Sequence, residues 1–181
     1  MRLWQVDIHP ANGQPDSLGL AAVKSATELG IASDLAMEAA YGFLLQGDLD
    51  ETQANKIANE LLADPIAQRC VTAIVGQPAL NAPRSFSAND CTLIYSMPKA
   101  GVMDPVAQST LNMLLGLKYP VEEVRTFRKY WVRSAQGAPE KSVVQRLCQK
   151  ILANDSIEQV NVGPLQMEQL AVGAPYQFQL V

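Results

Sequence analysis

A net charge of −4 on 181 residues argues against a general nucleic-acid-binding protein, which usually carries a strongly basic face. The length and the apolar fraction of 48% suit a globular protein that buries a sizeable core. No apolar run approaches the roughly 20 residues that span a bilayer, and we expect neither a secretory signal nor a membrane segment. Cys70, Cys91 and Cys148 are odd in number and far apart, which favours reduced thiols of a cytoplasmic protein.

The first 75 residues alternate between strand and helix patterns. Trp4, Val6 and Ile8 alternate with polar residues, which predicts a strand with one covered face. Asp16 begins a helix that ends at Gly30. Further along we predict a strand, a helix and a strand, at residues 35–45, from 48–51 onward and at 66–75. Residues 36–40 would suit a helix equally well by propensity alone.

The same patterns return between residues 99 and 154. Asp104 and Pro105 are typical of a helix start, since the carboxylate can accept a free backbone N–H and proline needs no donor at the first position. This helix is predicted to stop near Gly116. Residues 121–132 are β-branched and aromatic, which predicts a strand, and residues 143–152 carry a second apolar helical stripe.

These two regions are interpreted as copies of one unit. Residues 57–64 match residues 147–154 at a constant offset of 90, Asp16 matches Asp104, and Tyr41 is aligned with Tyr130. A repeat of this length usually means that a unit packs against its own copy. We therefore predict an α+β fold of two tandem repeats, each an antiparallel sheet with two helices on one face, packed as a pseudo-dimer.

The predicted boundaries follow from this repeat. The copies span residues 1–75 and 91–162, with a Pro- and Gly-containing linker at 76–90 and a tail at 163–181. The linker length permits pairing within one chain or between two chains. The tail ends in alternating apolar residues after Tyr176, which suggests a strand cut off before its partner. We expect the chain to be the amino-terminal portion of a longer polypeptide.

The second copy resembles the PurS family, the small non-catalytic component of phosphoribosylformylglycinamidine synthase. The resemblance covers residues 92–162 and rests on a series of motifs in family order: Lys99, Gly101, Val102, Asp104, Pro105, Gly116, Val121, Val124, Arg125, Lys150, Ile151, Leu152, Ala153, Asn154, Ile157 and Glu158. The first copy matches less well. Phe127 and Arg128 stand where the family usually has Gly-Lys.

The resemblance implies a place in purine biosynthesis. The synthase amidates formylglycinamide ribonucleotide with ATP and with ammonia released from glutamine, and its PurS-like part is thought to bridge the synthetase and glutaminase parts. On this basis we expect no catalytic residue, cofactor or metal in this chain, with ATP and Mg²⁺ bound elsewhere in the whole enzyme. The expected partners are the synthetase and glutaminase parts, and the chain could form a homodimer or an intrachain pseudo-dimer.

One basic and aromatic concentration stands out as a candidate interface. Arg125, Arg128, Lys129 and Trp131 lie along the predicted strand at 121–132. A strand with a solvated basic edge, which discourages aggregation, is the simpler interpretation. The functional interpretation is a docking surface for the partner parts, and single-stranded nucleic acid is a third.

Other residues with possible chemistry favour structural roles. The three cysteines are not bracketed by glycines as a glutaminase nucleophile would be, and we expect them to pack in the core. His9 is the one histidine, before Pro10 at a strand end, and is more often structural than catalytic there. The acidic residues at 48–51 suit a helix start better than a metal site, and no phosphate-binding loop pattern is present.

These observations predict a non-catalytic assembly module. The main alternative is a ferredoxin-like regulatory domain that binds an effector between its copies and would be stabilised by that ligand. A stand-alone enzyme is disfavoured, because the sequence offers no convincing nucleophile, base or phosphate loop.

Overall fold

Six strands form one antiparallel sheet in the order β3-β1-β2-β5-β4-β6 in the computed structural model, which describes residues 1–170. Alternating or β-branched sequences give each strand its covered faces. The strands are β1 (Arg2–Pro10), β2 (Ala36–Gly47), β3 (Gln68–Ile74), β4 (Thr92–Pro98), β5 (Val121–Arg133) and β6 (Glu158–Val162). The prediction of an α+β fold is confirmed, and residues 36–47 form a strand rather than a helix.

Four helices cover one face of this sheet. They are α1 (Ser17–Glu28), α2 (Glu51–Lys56), α3 (Pro105–Gly116) and α4 (Lys141–Leu147). The chain continues beyond α2 and α4 in wider π-helical turns, at Ile57–Leu62 and Cys148–Leu152. Asp50 opens α2 with a reciprocal capping box, in which its carboxylate accepts from the Gln53 backbone N–H at 2.8 Å. Helix capping therefore explains the acidic cluster at residues 48–51.

The two halves join through β2 and β5, which pair antiparallel along almost their whole length. Tyr41 lies opposite Arg128 at the centre of this pairing. In the first half Ile8 pairs with Tyr41, and in the second Ser96 pairs with Arg128. A pseudo-two-fold axis therefore passes beside the Tyr41–Arg128 pair. Tyr41 corresponds to Arg128, so the sequence alignment of Tyr41 with Tyr130 is wrong by two positions.

Two apolar clusters between sheet and helices each combine both halves. One joins α3 to residues after α2, with Ile57 and Leu114 fully buried. The other joins α1 to α4, with Ala26 and Leu147 fully buried. Because each cluster takes helices from both halves, neither half has a complete core of its own, which agrees with the marginal stability expected of a unit of about 75 residues.

The linker and the start of the tail cover the opposite face of the sheet. Phe86 from the linker, with Leu165 and Leu170 from the tail, packs in a third apolar cluster that contains Trp131. Both faces of the central strands are thus buried. The predicted strand after Tyr176 lies outside the described residues.

Candidate partner interface on strand β5

The candidate interface residues lie on a central strand. β5 is hydrogen-bonded to β2 on one side and to β4 on the other, so the prediction of a solvated basic edge is wrong. The side chain of Arg128 is 37% exposed and that of Arg125 is 13% exposed. Lys129 and Trp131 are almost completely buried. The sequence could not reveal this, because the burial comes from residues far away along the chain.

Lys129 forms a fully buried ion pair with Asp7 across the two halves. Its Nζ donates to Asp7 Oδ2 at 2.7 Å and also to the backbone oxygen of Leu80 in the linker. The ammonium lies 4.9 Å from the ring centre of Tyr95 and 4.6 Å from that of Trp131. Burial raises the pKa of Asp7 and lowers that of Lys129, while their mutual attraction opposes both changes. Lys129 therefore fastens the linker and the first half to β5.

Trp131 packs in the same buried region as Lys129. Its Nε1 donates to the backbone oxygen of Asn81 at 2.9 Å, and its ring stacks on His9 at a centroid distance of 5.6 Å. We therefore assign both Lys129 and Trp131 to the interior, since neither has exposed surface to offer a partner.

His9 is held as a neutral imidazole. Burial, with the positive charges of Arg69, Lys129 and Arg84, lowers its pKa to about 3. A general base works best when its pKa lies near the operating pH. His9 is thus poorly suited to proton transfer at neutral pH, and its stacking on Trp131 supports a structural role.

Arg128 faces a shallow opening beside the pseudo-two-fold axis. Its Nη2 donates to Glu158 Oε1 at 2.6 Å, and at the matching place in the first half Gln68 Nε2 donates to the Tyr41 hydroxyl at 2.9 Å. A cleft of about 350 Å³ lies on the Gln68 side and one of about 330 Å³ on the Arg128 side. These clefts offer a charged, half-exposed contact surface between the helices.

Two aspartates fix the helices that border this opening. Asp16 caps α1 by accepting from the Gly19 N–H, and its second oxygen accepts from the Ala39 N–H of β2. Asp104 caps α3 in the same way, and its second oxygen accepts from the backbone and hydroxyl of Thr126 in β5. In each half, one aspartate therefore caps the helix and also ties it to the central strand.

The cysteines are poor nucleophiles in this environment. Burial raises the pKa of Cys70 to about 11, and it also raises the pKa of Cys91 and of Cys148. A thiol in such a setting stays protonated near neutral pH, whereas catalysis needs the thiolate. Within residues 1–170, no group of three acidic, histidine or cysteine side chains is arranged to hold a metal ion.

Sequence reasoning missed the polar layer beneath the linker. Asp7 and Glu38 occupy the polar positions of alternating strands, which predicts exposure, yet both are buried. Glu38 accepts from the backbone N–H groups of Arg84 and Ser85 at 2.5 and 2.7 Å. The polar residues of a strand can also be buried when a long linker covers their face of the sheet. The length of the linker at residues 76–90 was the one feature of the sequence that could have indicated this burial.

The fold is an α+β protein built from two like halves on one continuous sheet, with no helix in residues 1–170 long and apolar enough to cross a membrane. Residues 92–164 match the model of the PurS family, described as phosphoribosylformylglycinamidine (FGAM) synthase. This segment, from β4 through β6, is a PurS-like region, and the match supports a part in FGAM synthase and so in purine biosynthesis. No curated protein matches the chain. That residues 1–75 form a second PurS-like copy stays a prediction, although they repeat the same element order.

Proposed function

We propose that this chain is a non-catalytic assembly component of phosphoribosylformylglycinamidine synthase, which bridges the synthetase and glutaminase parts. The observation that carries the proposal is the family match over residues 92–164. In this role the chain would keep the two active sites in register, so that ammonia released from glutamine reaches the synthetase. ATP and Mg²⁺ would be bound by the other parts of the enzyme.

The architecture supports a bridging role. The pairing of β2 with β5 and the buried Asp7–Lys129 ion pair connect the two halves within one chain. Each half presents its own pair of helices on the same face of the sheet. Such a scaffold offers two similar but non-identical surfaces at a fixed spacing, which suits two different partners.

The proposed contact surface now centres on Arg125 and Arg128. Arg128 is half-exposed beside the pseudo-two-fold axis, and Arg125 lines a neighbouring cleft with Asp104 and Glu123. A rim charge such as that of Arg128 mainly affects the rate and the salt dependence of association, whereas Arg125 is mostly buried. Arg125→Glu combined with Arg128→Glu is therefore expected to weaken assembly roughly tenfold or more, most clearly at low salt.

The test is a pull-down against the synthetase and glutaminase parts, with glutamine-dependent and ammonia-dependent activity measured in parallel. The proposal expects binding and a requirement for this chain in the glutamine-dependent reaction only. Lys24→Glu with Lys150→Glu makes the same charge change at exposed sites elsewhere and serves as the control. Thermal melting shows whether each variant remains folded.

If the wild-type chain neither binds nor alters either activity, the bridging function is excluded. Thermal stabilisation by an amino acid or nucleotide would then favour the effector-binding alternative, with the clefts beside Tyr41 and Arg128 as its first site to examine. If the wild-type chain binds and the double arginine variant binds equally well, the bridging function stands and the contact surface lies elsewhere.

A further inference from the structure

An apolar groove of about 640 Å³ lies between strand β6 and helix α4 in the second half of the molecule. Its walls are mainly aliphatic, with one thiol and two neutral polar side chains, and its one charged residue is an exposed lysine. The lining residues are Thr92, Pro139, Lys141, Val144, Gln145, Cys148, Val160 and Val162. The groove is open on one side, so it presents apolar surface that no other element of residues 1–170 covers.

The first half shows what fills the equivalent space. Ile8 and Ser96 occupy matching positions opposite Tyr41 and Arg128, so four residues earlier Trp4 corresponds to Thr92. Trp4 is only 4% exposed, packs in the first apolar cluster, and donates from Nε1 to the Leu49 backbone oxygen at 3.1 Å. An indole ring thus occupies in the first half the region that the small Thr92 side chain leaves open in the second.

The walls of the two sites correspond as well. Val144 and Cys148 of the groove lie 90 residues after Ala54 and Ala58, which are fully buried in the same cluster as Trp4. The offset is the one that relates residues 57–64 to 147–154. The groove therefore has the location, and much of the framework, of a site that already holds an aromatic ring in this molecule.

The edge beside the groove can receive an extended segment. β6 pairs with β4 on one side, and no other strand of the described chain pairs with its outer side. Val162 is 57% exposed at this edge. A peptide added to such an edge gains backbone hydrogen bonds while its alternate side chains enter neighbouring pockets.

Charge adds a further requirement on the occupant. Lys141 is exposed at the rim, and among residues 1–170 its ammonium has no hydrogen bond or ion pair. An acidic residue next to the aromatic one would complement this charge and help to fix the orientation of the segment.

We propose that the β6–α4 groove binds an aromatic side chain, flanked by an acidic residue, on an extended segment of another part of the synthase. The identity of the partner rests on the proposed function, whereas the site itself rests on the comparison of Trp4 with Thr92. The anchor is an aromatic ring of about indole size, which is also a frequent centre of binding energy in protein interfaces.

Filling the groove from within tests the proposal directly. Thr92→Trp should place an indole where the first half has one, leave the chain folded with a raised Tm, and weaken assembly with the synthetase and glutaminase parts at least tenfold. Thr92→Val, which is of similar size, leaves the groove open and should assemble normally. Val162→Lys introduces a charge at the exposed edge and is the second variant should Thr92→Trp fail to fold, with Ile66→Lys at an 86% exposed position as its control.

Free indole is the probe that examines the site without any partner. Titration of the wild-type chain, followed by amide NMR shifts, should move signals from α4 and β6 around Val144 and Val160, and the same response is expected in Thr92→Val. The response should be lost in Thr92→Trp. An absence of shifts in the groove, or equal shifts in Thr92→Trp, overturns the proposal.

The outcomes separate this inference from the proposed function. If the wild-type chain assembles and the groove variants assemble equally well, the groove proposal fails while the bridging function stands. If the wild-type chain does not assemble, the bridging function fails and the indole titration decides whether the aromatic site exists. If the chain forms a dimer that Thr92→Trp abolishes, the occupant of the groove is a second copy of the chain. If indole binds more tightly after removal of residues 171–181, the occupant is the end of the chain itself. Either result overturns the assignment of the partner.

Discussion

The two halves of the molecule share a backbone plan but differ in what fills it. Both begin with a strand, cap their first helix with an aspartate that also binds the central strand, and extend their second helix in a π-helical turn. In both halves a bend follows this turn, and the side chain of Asp64 or Asn154 accepts a hydrogen bond from a backbone N–H two residues later. The features in common are those that set the path of the chain, and their local sequence signals are the ones that led to the prediction of a repeat.

The differences lie in the buried side chains of the sheet. Asp7 corresponds to Tyr95, and Lys129 corresponds to Gly42, as the pairs Asp7–Gly42 and Tyr95–Lys129 show. The ion pair between Asp7 and Lys129 therefore has no symmetric counterpart. A side chain at position 42 would also collide with the backbone oxygen of Val6 and the ring of Phe127. This asymmetry favours the pairing of two unlike halves over the pairing of two identical ones.

The largest expected effect comes from breaking the Asp7–Lys129 ion pair, which has no symmetric counterpart in the molecule. Asp7→Ala leaves the Lys129 ammonium buried without its carboxylate, which should lower the free energy of unfolding by about 3–5 kcal/mol. Urea denaturation measures this loss. Asp7→Leu with Lys129→Met replaces the pair by apolar groups and should recover most of the stability. A loss below about 1 kcal/mol for Asp7→Ala would show that the pair does not lock the halves together.

A somewhat smaller loss should follow when the first half is made to resemble the second. Trp4→Thr removes a buried indole and opens a cavity next to α2, so we expect a loss of about 3 kcal/mol in the free energy of unfolding. Thr92→Ser, the matched change at the open site, should cost less than about 1 kcal/mol. Added indole should raise the Tm of Trp4→Thr by binding in the new cavity. Equal losses at the two positions would contradict the correspondence of filled and open sites.

His9 provides a pH-dependent test of the face covered by the linker. Its pKa is about 3 in the folded chain against the ordinary 6.5, so between these values the unfolded chain binds the additional proton. Stability should therefore fall as pH drops from about 6.5 towards 3, by up to about 1.4 kcal/mol per pH unit. Urea unfolding at about pH 7, 6 and 5 measures the slope. His9→Phe keeps a ring against Trp131 and should flatten the dependence of stability on pH above pH 5. An unchanged slope would mean that other titrating groups cause the pH dependence.

Much of the local structure could be predicted because its causes lie within a few residues. Asp104 and Pro105 determine the start of α3, and Asp16 does the same for α1. Alternation places Trp4, Val6 and Ile8 on the helix-covered face of β1. In each case the relevant contact is local or repeats with the period of one element, so the sequence carries the signal directly.

The fate of the candidate interface could not be predicted, because it depends on contacts between distant residues. Lys129 is 122 positions from Asp7 and 49 from Leu80, and nothing near Lys129 in the sequence indicates either partner. The position of β5 at the centre of the sheet follows from the pairing of the halves. A basic and aromatic strand is compatible with an exposed edge or with an interior ion pair, and the linker decides between them by covering this face.

The smallest expected effect is the difference in stability that the helix caps Asp16 and Asp104 contribute. Each aspartate accepts three hydrogen bonds, but the third donor is the Arg84 guanidinium at 2.7 Å for Asp16 and the neutral Thr126 hydroxyl at 2.8 Å for Asp104. Loss of either cap should cost about 1–2 kcal/mol, and the charged donor should add up to about 1 kcal/mol at Asp16, because charge-assisted bonds are the stronger ones. Double-mutant cycles of Asp16→Ala with Arg84→Ala and of Asp104→Ala with Thr126→Val measure the two coupling energies. A coupling at Asp104 equal to or above that at Asp16 would mean that solvent screening cancels the advantage of the charge, and the linker contact would then add no stability to the first cap beyond what the second already has.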